Sequence, residues 1–247
     1  MRRFFTEPEN IKDGMIEITE DAAHISRVLR MEPGDRILVF DGSGAEYEAE
    51  ISEIGGGAIR ARVLTEQFSE QEPDIQITLF QGIPKSGKLE TIVQKAVELG
   101  ARRIVPFRAD RSVAKIPDGS KGAQKIARLN KVAREAAKQC GRGLVPEVAM
   151  PASLSEMINM LAELDMSVML YEELGHAGER NLKQILKRQA KSIGVIIGPE
   201  GGFSASEAER LTELDNVYAA GLGPRILRTE TAGMAAISVI MYEKDEI

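Results

Sequence analysis

The 247-residue chain predicts an α/β protein: a parallel sheet covered by helices, preceded by a smaller β unit. Three observations carry this. Through residue 70, apolar residues alternate with polar ones, and glycine-rich turns break the runs. From residue 75 onward, short apolar strands alternate with segments whose apolar residues recur every three or four positions. Between the two regimes, Gln67–Asp74 is polar and contains Pro73, the composition of a linker. The expected domains are therefore 1–70 and 74–247.

In the first unit, Ile37 and Val39 alternate with polar neighbours up to the turn Asp41-Gly42-Ser43-Gly44. Tyr47, Ala49 and Ile51 form the next run, Gly55-Gly56-Gly57 the next turn, and Ile59, Ala61 and Val63 the run after it. Hairpins at this spacing curl into a small barrel. In the second unit the expected strands are Ile75–Phe80, Ile104–Phe107, Leu144–Val148, Val168–Tyr171, Ile193–Ile197 and Val217–Leu222. Helices lie between them. Leu89, Ile92, Val93, Ala96 and Val97 share one face, and Gly100 stops that helix. Ile126, Leu129, Ala133, Ala136 and Cys140 mark a second, Leu154, Met157, Ile158 and Leu161 a third, and Leu182, Ile185 and Leu186 a fourth. Ser204-Ala205-Ser206-Glu207 is a capping box opening a fifth, and Thr229–Tyr242 is the last. Ligands of such sheets bind beyond the carboxyl ends of the strands.

Composition narrows the function classes. At 43% hydrophobic and 28% charged, the chain buries a core and is not disordered. Apolar runs such as Val168–Tyr171 and Val195–Ile197 fall far short of the ~18 residues of a membrane span. The opening Met1–Pro8 segment has no apolar core of a secretory signal, so a cytoplasmic protein is expected. The single cysteine excludes an internal disulfide framework, and with two histidines leaves too few soft ligands for zinc, so no metal is expected. The net charge is −6, but residues 84–142 carry 15 Lys/Arg against 5 Asp/Glu, between acidic flanks. Such a focused positive block recruits a polyanion locally.

Two crossovers are candidates for chemistry. Ile197-Gly198-Pro199-Glu200-Gly201-Gly202-Phe203-Ser204 links a strand to a capped helix, and its glycines let main-chain groups approach a ligand closely. It lacks the lysine of a P-loop. Ala220-Gly221-Leu222-Gly223-Pro224-Arg225-Ile226-Leu227-Arg228-Thr229-Glu230-Thr231-Ala232 gathers two arginines, a glutamate and two threonines, with Thr229 or Thr231 as a helix cap. Ile226 stands where a dinucleotide fingerprint needs glycine. The basic block adds Lys85, Lys88 and Lys95, then Arg102, Arg103, Arg108 and Arg111, then Lys125, Arg128, Lys131, Arg134 and Lys138, cations suited to phosphates. With no tryptophan, base stacking is limited. His176 reads as a loop residue.

Five segments in order carry a resemblance: His24…Val28-Leu29-Arg30 with Gly34-Asp35; Lys88…Gln94-Lys95-Ala96-Val97-Glu98-Leu99-Gly100 with Ile104 and Pro106; Ala133 to Arg142 with Pro146; Ile197 to Gly202; and Leu222 to Ala232. The chain resembles the RsmE family of small-subunit (16S) ribosomal RNA methyltransferases, of the SPOUT superfamily. The resemblance implies a PUA-like β-barrel for RNA followed by a SPOUT domain with a C-terminal deep trefoil knot. It also implies a homodimer that uses S-adenosyl-L-methionine to methylate uridine N3, with 16S rRNA or the small ribosomal subunit as partner. The adenosine would lie against Met169, Leu170 and Tyr171, against Ile197, Gly198, Pro199, Glu200 and Gly201, and against Ala220, Gly221, Leu222, Gly223, Ile226 and Leu227. On this reading Gly201→Arg abolishes cofactor binding and leaves the fold intact. Arg225 or Arg228 would stabilise the uracil anion; Glu200 or Glu230 would take its proton or hold an arginine. Arg2, Arg3, Arg27 and Arg30, with Lys88, Lys95, Arg111 and Arg134, are the expected RNA contacts. A ribose 2′-O-methyltransferase and a non-catalytic ribosome-assembly protein are the alternatives.

Overall fold

The computed structural model describes residues 1–85, 87–171 and 182–246, which leaves His176 outside the described residues. The chain forms two compact units: Met1–Glu72 with Ala137–Val145, and Pro73–Ala136 with Pro146–Ile247.

The first unit is built on six strands: β1 (Arg2–Phe5), β2 (Ile11–Lys12), β3 (Met15–Ile18), β4 (Arg36–Phe40), β5 (Ala45–Gly55) and β6 (Ala58–Phe68), hydrogen-bonded in the order β1-β4-β5-β6-β3-β2. The period-two pattern is realised on β4, β5 and β6. Ile37, Val39, Ala49, Ile51, Ile59 and Ala61 are buried in one cluster with Phe4, Ile16, Ile18 and Ile25. Strands β1 to β3 are too short for their alternation to stand out. The segment also contains a π-helical turn, His24–Val28, closed by Leu29 N–H on the His24 carbonyl at 2.9 Å. Several acidic side chains are answered within the sheet. Arg36 pairs with Glu48, Arg60 with Glu17 and Glu53, and Arg62 with Glu50, all across strands.

The second unit is a six-stranded sheet of β7 (Gln76–Gly82), β8 (Ala101–Phe107), β9 (Glu147–Val148), β10 (Met166–Leu170), β11 (Ser192–Ile197) and β12 (Val217–Ala220), in the order β12-β10-β11-β7-β8-β9. Every pairing in it is parallel. Its helices are α1 (Lys88–Glu98), α2 (Ser120–Cys140), α3 (Leu154–Ala162), α4 (Leu182–Ile185), α5 (Ala205–Thr212) and α6 (Thr229–Glu243). The last turn of α2 falls in the stretch grouped with the first unit. Alternate residues of the strands serve the two faces. Phe80, Val105, Met169 and Ile196 pack with Met157 and Leu161 of α3 and Ala208 and Leu211 of α5. On the other face, α6 rests on β7 and β11 and α1 on β8. Helix α6 is apolar nearly all round and accordingly buries Gly233, Ala236, Ile237, Ile240 and Met241.

Local chemistry sets the ends. Ser204 Oγ accepts from Glu207 N–H at 3.2 Å, and Glu207 returns a carboxylate oxygen to Ser204 N–H at 2.8 Å, closing the expected capping box. A second box, Ser153 with Glu156, opens α3. Ser204→Ala is expected to cost about 1 kcal/mol in a denaturant titration, with the denaturant slope unchanged. Two expected boundaries are corrected. Pro146, which lacks a donor, keeps Leu144 out of β9; Leu144 instead bridges Gly42 and Ser43 within the first unit. Strand β12 ends at Ala220 rather than Leu222, because Gly223 turns to φ +97° and Pro224 cannot extend a ladder.

Candidate functional site

Register brings three strand ends level. Leu170 pairs with both Ile197 and Ala220, so the chain leaves β10, β11 and β12 at one height, beyond their carboxyl ends. Leu170 and Tyr171 at the end of β10 and the segments that follow β11 and β12 line a cavity of about 440 Å³, a size suited to a small-molecule ligand. Leu170, Tyr171, Ile197, Gly198, Pro199, Glu200, Ala220, Gly221, Leu222, Gly223, Ile226 and Leu227 all line it, and so do Arg225, Arg228, Lys88 and Arg111.

Two expected members lie elsewhere. Met169 is fully buried in the core, since strand alternation turns its side chain toward α3 and α5. Gly201 does not line the cavity; its carbonyl accepts from Arg111 Nη1 at 3.2 Å, and a Cβ at this position would lie 2.9 Å from Arg111 Cβ. A side chain at Gly201 therefore collides with the Arg111 segment rather than filling the cavity. Gly198 is the glycine whose missing side chain matters there: a Cβ would sit 3.1 Å from the Phe203 ring. Phe203 lines the cavity while lying stacked on Phe107 at 6.2 Å and edge-on to Tyr171 at 6.3 Å. It was not expected in the site, although it directly follows the glycine run.

Neither Thr229 nor Thr231 caps α6. Arg228 occupies the N-cap position with no side-chain cap bond. The buried Thr229 hydroxyl donates to the Gly198 carbonyl at 2.7 Å and accepts from Gln81 Nε2 at 2.8 Å. The two crossovers are thus joined directly.

Lys88, expected to meet RNA, is instead engaged by two carboxylates, Glu200 at 3.1 Å and Glu230 at 3.0 Å. The hydrogen bonds it donates to Glu230 and Glu200 hold its ammonium above the ordinary lysine range. Partial burial pushes Glu200 up, but its own N–H, Lys88 and the Lys85 N–H together outweigh this and keep the carboxyl below its ordinary range. Glu230 behaves alike: burial raises it, while its own N–H, Lys88 and the charge of Arg228 bring it down further. Both carboxylates therefore favour the folded state above the ordinary carboxyl value of 4.5, and that contribution is lost as pH falls through their lowered folded-state values. Lys88→Met leaves two like charges facing each other. At neutral pH it is expected to lower the Tm by about 2–4 °C, with the gap to the parent closing in acid once both carboxyls are protonated. An equal gap at all pH values would show that the triad is not coupled.

The other cations expected at the site differ in exposure and pairing. Arg225 and Arg228 are exposed, and among the described residues neither forms an ion pair. Arg2, Arg27 and Arg30 are exposed on the first unit, and Arg134 is half-buried on α2. Arg3 is not available for RNA: it pairs with Glu46 at 2.7 Å, donates to the Arg142 carbonyl at 2.6 Å and lies over the Phe40 ring. Lys95 is paired within its own helix to Glu98 at 2.7 Å. Among the described residues no acidic, histidine or cysteine cluster could hold a metal, and no helix is long and apolar enough to cross a membrane.

Comparison with known proteins follows the same division. Residues 70–241 match the model of an RNA methyltransferase domain, and residues 19–64 that of an RNA methyltransferase PUA domain. The ribosomal RNA small subunit methyltransferase E of Bacillus subtilis is 37% identical over 252 aligned residues, covering 99% of this chain and 98% of the relative. A solved structure of ribosomal RNA small subunit methyltransferase E from Neisseria gonorrhoeae, bound to S-adenosyl methionine, superposes with a TM-score of 0.83 at 28% identity, covering 98% of this chain and 97% of that one. A putative methyltransferase from Legionella pneumophila, in complex with the same cofactor, gives a TM-score of 0.83 at 31% identity, covering 97% and 96%.

Proposed function

We propose that this chain, which belongs to the ribosomal RNA small subunit methyltransferase E family, transfers a methyl group from S-adenosyl-L-methionine to N3 of a uridine in 16S ribosomal RNA. The observation that carries the reading is the convergence of the crossovers after β11 and β12, with the end of β10, on one cleft whose wall includes Gly198, Pro199, Ala220, Gly221 and Gly223. That wall suits the cofactor. Gly198 and Pro199 add no long side chain to the β11 end of the wall, and Leu170 and Leu222 add apolar area for a purine. Relatives solved with S-adenosyl methionine support the same cofactor here.

The bound cofactor supplies a methyl already activated on a sulfonium. The chain's own residues then have to orient the uracil and stabilise it as the N3 anion. Arg228 suits the second task best. Its carbonyl is fixed by Thr231 N–H at 2.8 Å and Ala232 N–H at 2.9 Å, so its guanidinium starts from an anchored backbone beside the cleft. A cation beside uracil O2 or O4 stabilises the developing charge as an oxyanion hole does. Arg225, farther out in the same crossover, assists in positioning. Glu200 and Glu230 are ionised and already engaged by Lys88, which makes them weak proton acceptors. We assign them to holding the basic groups in place. N3 lies on the Watson–Crick edge, so the target base must be unpaired.

We assign RNA holding to residues 1–70 as the PUA-like barrel, through Arg2, Arg27 and Arg30, and methyl transfer to 74–247, with Arg111 and Arg134 as further phosphate contacts. The C-terminal trefoil knot is assigned on family membership. Homodimerisation is supported by Val239 and Tyr242, large apolar side chains exposed one helical turn apart on α6. A cytoplasmic site of action follows from the ribosomal substrate. The decisive experiment incubates the protein with S-adenosyl-L-methionine and small subunits from a strain lacking the gene, then analyses nucleosides by mass spectrometry. The expected product is 3-methyluridine; a ribose methyl, or none, would overturn the reading.

A further inference from the structure

We infer that Gln81, which does not line the cleft, is a positioning residue for its cofactor wall and acts through Thr229 on the Gly198 carbonyl. The inference rests on the cofactor reading above. Gln81 is the next-to-last residue of β7, opposite Ile197 of β11, and is fully buried. Its amide NH₂ donates to the Gly82 carbonyl at 3.0 Å and to Thr229 Oγ1 at 2.8 Å, while its own Oε1 has no partner among the described residues.

The polarity of this chain of bonds is forced. A hydroxyl has one proton. Because Gln81 donates to it, Thr229 must spend that proton on the Gly198 carbonyl, at 2.7 Å. The Gly198–Pro199 peptide has no N–H, so its carbonyl is the only polar group whose direction sets how the peptide plane faces the cleft. With the carbonyl drawn back to Thr229, carbon faces the ligand. A second contact works in the same sense. Gly82 lies so close to this peptide that a Cβ would sit 2.6 Å from Pro199 N and Cδ, so the end of β7 buttresses the peptide by packing as well. A buried amide with one oxygen unanswered is costly. That cost is understandable if the NH₂ group is what the site requires.

The test is calorimetric titration of the full chain with S-adenosylhomocysteine, beside steady-state kinetics. Gln81→Met conserves volume and leaves Thr229 free to turn; Thr229→Val removes the relay; Thr229→Ser retains it. The Met and Val variants are expected to bind about tenfold more weakly, the size of one hydrogen bond, with KM for the cofactor raised alike and kcat within about twofold. Thr229→Ser should bind as the parent does. The double variant should be no weaker than Thr229→Val alone, because both act on one bond. Gln81→Met carries the test if Thr229→Val does not fold. Parent-like binding by the Met variant, or additive losses in the double variant, would overturn the inference while leaving the cofactor site intact. Absence of binding by the parent would instead remove the cofactor reading itself.

Discussion

Arg228→Ala should lose about 10²–10³-fold in kcat while S-adenosylhomocysteine binds within about twofold of the parent. The magnitude is that of removing one preorganised charge from the place where an anion develops, in a cleft partly shielded from water. The selectivity follows from geometry. Arg228 lines the cleft but is exposed, and the bonds that order the neighbouring main chain run through its carbonyl and through Thr229, both of which survive the substitution. Comparison with Arg225→Ala separates the two arginines: a predominant effect on KM for RNA is expected there. If Arg228→Ala retained full turnover, the anion would have to be stabilised by another group, and Arg225 would inherit the assignment.

Gly198→Val is the second large effect. A Cβ at Gly198 already lies 3.1 Å and 3.2 Å from two atoms of the Phe203 ring and 3.3 Å from the Gly202 carbonyl carbon. Phe203 cannot yield easily, because it is buried against Phe107 and Tyr171. The new methyl groups must displace the peptide into the cleft. Cofactor affinity should fall about a hundredfold, the upper end of overpacking costs, and calorimetry measures it directly. The fold should survive with a reduced Tm, because the strain is confined to one crossover. Undiminished binding would mean that the cofactor does not lie against the β11 end.

Much of this arrangement was legible in the sequence. The change of period near Pro73, the capping box at Ser204 and the two glycine-bearing crossovers follow from local chemistry, and local chemistry is what a single sequence expresses. At Lys88, Arg3 and Thr229 the failures share one cause, contacts between residues far apart in the chain. Lys88 reads as a solvated helix cation, yet 112 and 142 positions separate it from the carboxylates that hold it. Arg3 is absorbed by Glu46 and by a carbonyl at residue 142, which its neighbours do not announce. Thr229 has the composition of a cap, and its role became visible only when Gln81 and Gly198 were brought beside it. Met169 was assigned by segment, although the alternation of its own strand already separates it from Leu170.

The first unit's division into two stretches of chain has a bearing on biogenesis. Its six strands are complete by Phe68, but Arg142 clasps Glu72 at 2.8 Å, Leu144 N–H reaches the same carboxylate at 3.1 Å, and Val145 N–H bonds Gly42 at 3.0 Å. A nascent polypeptide emerging from the translation machinery therefore cannot finish its amino-terminal module until residue 145 has been made. Excision at the linker would yield a fragment lacking these late-arriving fasteners, and recombination that lends this module to another enzyme has to carry both pieces.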